Sequence, residues 1–346
     1  MSDLTMLTNP SQVLLRNEQA LSASSILVIN FEQDGFLNAL KTLLPHAKIT
    51  AFTSNVANAD WANKQSGIDV TLAAQLPDQN VELVIFYYPK AKPEALMLMD
   101  NIRAISNSDT RLLVVGDNKG GVKSSEKQLK EHAKFGRKID SARHCALYQF
   151  SQLTPNPVFE LSDYFKQFTV NANGTSIDVI SMPGVFNHGA LDKGTELLLN
   201  NITPPESGTV LDFGCGAGVI SAYLGKMNPN LSFLCLDVSA FAAKATELTL
   251  QLNQIDGEVL LSNGLQKLTN RVDHIVTNPP FHTGLSTDYD ITETFIKDAK
   301  NVLKPKGTVT IVANSFLKYP PLLEQAFGQY QQICKNTKFT VYRVQS

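Results

Sequence analysis

Short, unbroken runs of Val, Ile, Leu and Phe punctuate the chain. In the first half they are ILVINF (26–31), KITAFT (48–53), VELVIFYY (81–88) and TRLLVVG (110–116), with helical stretches near 34–44 and 93–106. The second half repeats the order with TVLDFG (209–214), LSFLCLDV (231–238), VDHIVTN (272–278) and GTVTIVAN (307–314). Runs that do not alternate with polar residues predict strands buried on both faces, and helical segments between them predict parallel crossovers. The expected fold class is α/β, two tandem doubly wound Rossmann-like domains.

The proline-rich LTPNPVF (153–159) reads as the joint, giving domains over 1–155 and 156–346. Just after it, FKQFTVNANGTSIDVIS (165–181) alternates around Asn-Gly and predicts a hairpin leading into the second domain. The halves align strand by strand as a coarse internal duplication. Its clearest trace is a pair of strand ends, ELVIFYYPKAK (82–92) and HIVTNPPFHTG (274–284).

Composition narrows the class. A chain of 346 residues has room for two cores, and 43% apolar with 18% charged residues is a globular balance. No run approaches the ~18 apolar residues of a membrane span, and the N-terminus MSDLTMLTNPSQ has no secretory pattern, so no membrane association and a cytoplasmic location are expected. The four cysteines are scattered, no His/Asp/Glu cluster has ligand spacing, and no metal is expected. The net charge of −2 conceals a basic stretch: Lys119 to Arg143 holds eight Lys/Arg against three acids. Within it Lys123, Lys127, Lys130 and Lys134 recur every three or four residues, predicting one helix face, either simply solvated or tracking phosphates.

The chemistry concentrates in the second half. TVLDFGCGAGVIS sets Gly214, Gly216 and Gly218 between a strand and a helix, where glycines allow a sharp turn and close approach to a ligand. The third glycine comes one residue too early for a dinucleotide fingerprint. Asp237 ends the next strand, where a carboxylate can accept both ribose hydroxyls; the plainer reading is a helix cap. Asn278-Pro279-Pro280-Phe281 then follows the fourth strand. Two prolines remove two donors and leave carbonyls outward. The Asn278 side-chain oxygen and the Pro279 carbonyl can each accept an N–H of a planar amine, steering its lone pair toward an electrophile, while Phe281 offers a stacking surface.

Glycine loop, ribose acid and Asn-Pro-Pro-Phe together resemble class I S-adenosylmethionine-dependent methyltransferases acting on amino nitrogens. PGVFNHGALDKGTELLL (183–199), IVANSFLKYPPLLEQAFG (311–328) and KFTVYRV (338–344) extend the resemblance to the small-subunit (16S) rRNA guanine-N2 methyltransferase C family, RsmC. That family has an N-terminal domain resembling a methyltransferase without its cofactor site, and ILVINFEQDGF here lacks the glycine pattern. The resemblance implies S-adenosylmethionine as cofactor and 16S rRNA of the small subunit as partner; a monomer is expected, though the sequence does not fix whether the chain dimerises. It implies that Phe186, Asp192, Gly194 and Thr195 form a loop over the cofactor. Asp212, Gly214, Gly216 and Gly218 would hold its methionine end, Asp237 the ribose and Asn263 the adenine. Where the family often has Ser and a charged pair, this chain has Asn187 and His188. His282 is expected to touch substrate rather than act as a base, since the amine proton can leave afterwards to water. Methylation of adenine N6 or a protein glutamine, and a non-catalytic RNA-binding assembly factor, remain alternatives.

Overall fold

The structure is a computed structural model that describes residues 7–279, 287–317 and 319–346. The chain divides into two compact units, Met1–Tyr164 and Phe165–Ser346. The division falls past the expected joint at 155 because the intervening segment is tied back to the first unit. Arg103 Nε donates to the Thr154 carbonyl, the Asn156 amide donates to the Arg103 carbonyl, and the Tyr164 hydroxyl donates to Asp100.

The first unit runs α1 (Asn9–Leu15), α2 (Glu18–Leu21), β1 (Ser25–Ile29), α3 (Phe36–Leu43), β2 (Lys48–Thr53), α4 (Val56–Ala62), β3 (Asp69–Leu72), β4 (Leu83–Tyr87), α5 (Lys92–Ile105), β5 (Arg111–Asp117), α6 (Ser124–Leu129), β6 (Ala133–Ala142) and β7 (Cys145–Leu153). In the second unit a hairpin, β8 (Lys166–Ala172) and β9 (Thr175–Ser181), precedes α7 (Lys193–Asn201), β10 (Gly208–Phe213), α8 (Val219–Met227), β11 (Leu231–Asp237) and α9 (Ala240–Leu252). There follow β12 (Gly257–Leu261), β13 (Val272–Thr277), α10 (Thr287–Val302), β14 (Leu303–Asn314), α11 (Tyr319–Phe327), β15 (Gln331–Lys335) and β16 (Phe339–Gln345).

Each unit is built on a seven-stranded sheet, ordered β3-β2-β1-β4-β5-β7-β6 in the first and β12-β11-β10-β13-β14-β16-β15 in the second. The two orders are the same when strands are matched in sequence. Five strands of each sheet run parallel, and the remaining pair adds an antiparallel edge, β5 to β7 to β6 and β14 to β16 to β15. Continuous burial of β4 and of the middle of β14 shows why those runs read as apolar throughout: both faces are covered. The hairpin turn is the Asn-Gly its sequence predicts, with Asn173 and Gly174 at φ 46° and 76°. Asn253 and Thr249 of α9 hydrogen-bond the β9 backbone at Asp178 and Ile180 and so hold the hairpin in place.

The expected lysine helix is a correction. The helix α6 is only six residues long, Lys123 and Lys130 flank it, and Lys134 lies on the strand β6. The apolar strand β7 recruits 133–142 as its antiparallel partner, and sheet pairing overrides the helical spacing of the lysines.

Candidate active site

In the second unit the strand order reverses between β10 and β13, so a crevice opens at their carboxyl ends. The first wall is the glycine loop. Gly214, Gly216 and Gly218 have φ of 70°, 57° and 74°, a left-handed region costly for other residues. The three serve different ends. The Gly214 amide donates to the Leu236 carbonyl at 2.8 Å and turns the chain off β10. A Cβ on Gly218 would lie 3.0 Å from Thr246 of α9, so this glycine lets α8 start against α9. A Cβ on Gly216 would meet nothing within 4 Å, which makes its bare backbone the face open to a ligand.

Asp237, at the end of β11, is partly buried. One carboxylate oxygen accepts the Gly216 amide at 3.0 Å and the other the Ser239 amide at 2.9 Å. It is therefore a brace for the glycine loop as well as a candidate ribose acceptor, since each carboxylate oxygen has a second lone pair. Burial raises its pKa, and the backbone N–H donors work in the opposite direction. Asn263 is exposed two residues beyond β12, the neighbour of β11, in a turn closed by Ser262 Oγ on the Gly264 carbonyl. Loop, acid and Asn263 thus occupy the ends of three adjacent strands.

Asp212 lies deeper than the glycines. It is fully enclosed under the loop, with one oxygen accepting the amide and hydroxyl of Ser221 at 3.2 and 2.8 Å and the other without a hydrogen-bond partner. Burial, then the Asp237 charge, lifts its pKa to about 7. Its direct protein contact is with the start of α8. Because the folded pKa is raised above the ordinary 3.8, the unfolded chain releases this proton first, and folding stability falls as pH rises from about 4 to 7. Thermal unfolding of Asp212→Asn beside the parent should show a stability difference that shifts in favour of the variant across that window, by up to ~1.4 kcal/mol per pH unit, and is flat above it.

The second wall is the end of β13. Thr277 Oγ1 donates to the Phe213 carbonyl at 2.6 Å and pins it to β10. The next side chain, Asn278, donates its amide nitrogen to Asp192 Oδ2 at 2.7 Å and to Thr195 Oγ1 at 2.9 Å. Asp192 is also the N-cap of α7, accepting the Thr195 amide at 2.9 Å. With both contacts made by the amide nitrogen, the acceptor end of the Asn278 side chain is its oxygen. Asp192 and Thr195, expected in the loop over the cofactor, also grip Asn278. Gly194 is a packing glycine, its Cβ position 3.3 Å from the Phe339 ring. Phe186 is 59% exposed in the preceding loop. His188 contacts Ser181 Oγ at 3.1 Å, and burial with nearby Lys166 lowers its pKa. Pro279 is buried; Pro280, Phe281 and His282 lie outside the described residues.

The first unit carries the same frame with other residues. Asn30, at φ 56°, donates its amide to the Phe52 carbonyl as Gly214 does to Leu236. The strand registers Val28 with Ile85 and Asp212 with Val276 then match Tyr87 to Asn278 and set Glu32 and Asp34 where the second unit has Gly216 and Gly218. Asp34 is buried and accepts the Thr8 amide and hydroxyl at 2.9 and 2.8 Å, while Ser11 of α1 meets the Tyr87 hydroxyl at 2.8 Å. Thr8 caps α1 and Ser11 lies three residues on, the spacing of Asp192 and Thr195. One polar latch from helix start to strand end therefore occurs in both units, closing on an amide in the second and on a phenol in the first.

The described residues hold no group of three or more His, Cys, Asp or Glu that could bind a metal, and no helix among them is long and apolar enough to cross a membrane. Family models match both units: the methyltransferase small domain N-terminal region over residues 11–168 and the methyltransferase small domain over 176–343. The chain is 56% identical over 339 residues, 98% of its length and 99% of the relative's, to ribosomal RNA small subunit methyltransferase C of Pseudoalteromonas translucida. It is 40% identical over 98% of its length, and 99% of the relative's, to the protein of that name from Shewanella sp. strain MR-4. The T. thermophilus 16S rRNA N2 G1207 methyltransferase, solved with AdoMet and guanosine, superposes with a TM-score of 0.82 over 99% of this chain and 93% of that one, at 22% identity. The chain belongs to the ribosomal RNA small subunit methyltransferase C family.

Proposed function

We propose that the second unit transfers a methyl group from S-adenosylmethionine to the exocyclic N2 of a specific guanine in 16S rRNA. The observation that carries the chemistry is the Asn278 amide, held by its nitrogen at 2.7 and 2.9 Å, which leaves its oxygen as the end that would accept from a substrate. A guanine N2 amine is planar and its lone pair is delocalised into the ring. Two acceptors in the plane of its N–H bonds, the Asn278 oxygen and the Pro279 carbonyl, stabilise positive charge as it develops on nitrogen. The amine proton leaves to water afterwards, so no strong base is required.

The cofactor site fits its ligand on three counts. The open backbone at Gly216 admits close approach, Asp237 has lone pairs for a ribose, and Asp212, one buried oxygen of which has no hydrogen-bond partner, lies beneath the loop that would hold the methionine end. Bound there, S-adenosylmethionine supplies an electrophilic methyl group on a positively charged sulfur. We assign Asn263 to the adenine, Phe186 to the loop over the cofactor, and Phe281 and His282 to the base being modified.

The first unit has the acidic side chains Glu32 and Asp34 where the second has bare glycines, and we assign it to holding RNA and stabilising its partner. Lys123, Lys127, Lys130 and Lys134 are all exposed and would meet phosphates. The enzyme is assigned to the cytoplasm as a monomer. To test the reading, labelled S-adenosylmethionine is offered to free 16S rRNA, small subunits and large subunits in parallel, with equilibrium dialysis of the cofactor alongside. RNA of the small subunit should carry the label, free or assembled. Absence of cofactor binding would instead favour a non-catalytic assembly factor.

A further inference from the structure

The strand β6 lies at one end of the first unit's sheet, and among the described residues no strand pairs with its outer edge. Five consecutive residues on it, Lys134-Phe135-Gly136-Arg137-Lys138, are exposed. Lysines on a free edge ordinarily discourage strand pairing. That accounts for the cations and not for Phe135, a ring 56% exposed in the middle of them with Lys134 Nζ 5.5 Å from its centroid. The single acid of the strand does not cancel the charge, because Asp140 is engaged by Arg16 and Asn17, each at 2.7 Å.

Grooves flank the strand, and successive residues of a strand face opposite sides. One, of about 450 Å³, is lined by Lys127, Lys130 and Lys134 and floored by Phe150, whose ring lies where a Cβ on Gly136 would be 2.8 Å away. The other, of about 760 Å³, is lined by Arg111 and Arg137 together with Glu18 and with Arg16, whose charge is already paired with Asp140. We infer that β6 and its two grooves form a docking ridge for single-stranded RNA, with Phe135 stacking on an unpaired base and the cations on either side taking phosphates. This rests on rRNA being the substrate. An aromatic among cations fits unstacked bases and a charged backbone, whereas a continuous duplex hides its base faces.

The test uses the full chain, a fluorescent mixed-sequence single-stranded RNA of about 12 nucleotides, the same RNA as a duplex, and small-subunit methylation kinetics. Phe135→Leu should weaken single-strand binding about tenfold, leave the duplex unaffected, and leave the salt dependence unchanged, since stacking is lost and no phosphate contact. Arg137→Gln with Lys138→Gln should weaken both probes and flatten the salt slope for the single strand by about 1.4, at ~0.7 per contact. Both variants should bind S-adenosylmethionine as the parent does and raise KM for RNA more than they lower kcat. Parent-like RNA affinity and KM in both variants would overturn the ridge while leaving the proposed reaction standing. A parent enzyme that methylates no rRNA would instead remove the reading on which the ridge depends.

Discussion

Asn278→Ala should lower kcat about 10²- to 10³-fold, the loss typical when one preorganised polar group is removed from a site of developing charge. S-adenosylmethionine affinity should move far less, because the hydrogen bonds of Asn278 run to Asp192 and Thr195 rather than to the glycine loop or Asp237. The sharper experiment concerns how the amide is held. Asn278→Asp alone sets one carboxylate against another at a separation of 2.7 Å and should be at least as impaired as the alanine variant. Asp192→Asn combined with Asn278→Asp restores a donor and an acceptor across the same contact, still offers an outward oxygen to the amine, and keeps a good N-cap on α7. Recovery of kcat by tenfold or more over the single variant is the expected outcome. A double variant as inactive as Asn278→Asp would show that the latch does not set the orientation of the catalytic oxygen.

Asp237→Ala should have the second largest effect, on binding rather than turnover. The substitution removes a candidate ribose acceptor and also the brace that accepts the Gly216 amide at 3.0 Å. Hydrogen bonds to charged groups contribute about 1.5–3 kcal/mol each, so losing two should raise the Kd for S-adenosylmethionine roughly 10²-fold or more. At saturating cofactor kcat should fall far less. Equilibrium dialysis and a saturation series separate the two effects, and an unchanged Kd would remove Asp237 from the cofactor site.

The parts of the site that could be read from sequence are those whose chemistry is local. Three glycines within five residues, an acid closing the following strand, and Asn-Pro-Pro after an apolar run each fix their own backbone setting. The latch could not be read this way. Asp192 and Thr195 are 86 and 83 residues from Asn278, and nothing in their own segment distinguishes a cap that faces solvent from one that also holds a catalytic amide. Asp212 was equally ambiguous, since a strand residue faces one side or the other, and only packing against Ser221 shows that it lies beneath the loop.

The fold divides along the same line. Parallel strands announce themselves as apolar runs because both faces are buried, whereas β6 is exposed along most of its length and has no apolar run to announce it. Lysines at helical spacing therefore pointed to a helix, and the pairing partner that makes a strand of them, β7, begins only after the basic stretch has ended. The matching ends of β4 and β13 were visible as a repeated phrase. What the phrase lacked was the partner helix: Tyr87 closes on Ser11 as Asn278 closes on Thr195, and that correspondence needs the third dimension.

The measurement that tests the central claim most directly is the identity of the modified atom. Small-subunit rRNA treated with the enzyme and isotopically labelled S-adenosylmethionine is digested to nucleosides and analysed by mass spectrometry, with the protein fraction counted separately. Label is expected in N2-methylguanosine alone, and should be lost with Asn278→Ala. Label in N6-methyladenosine or in protein glutamine would contradict it.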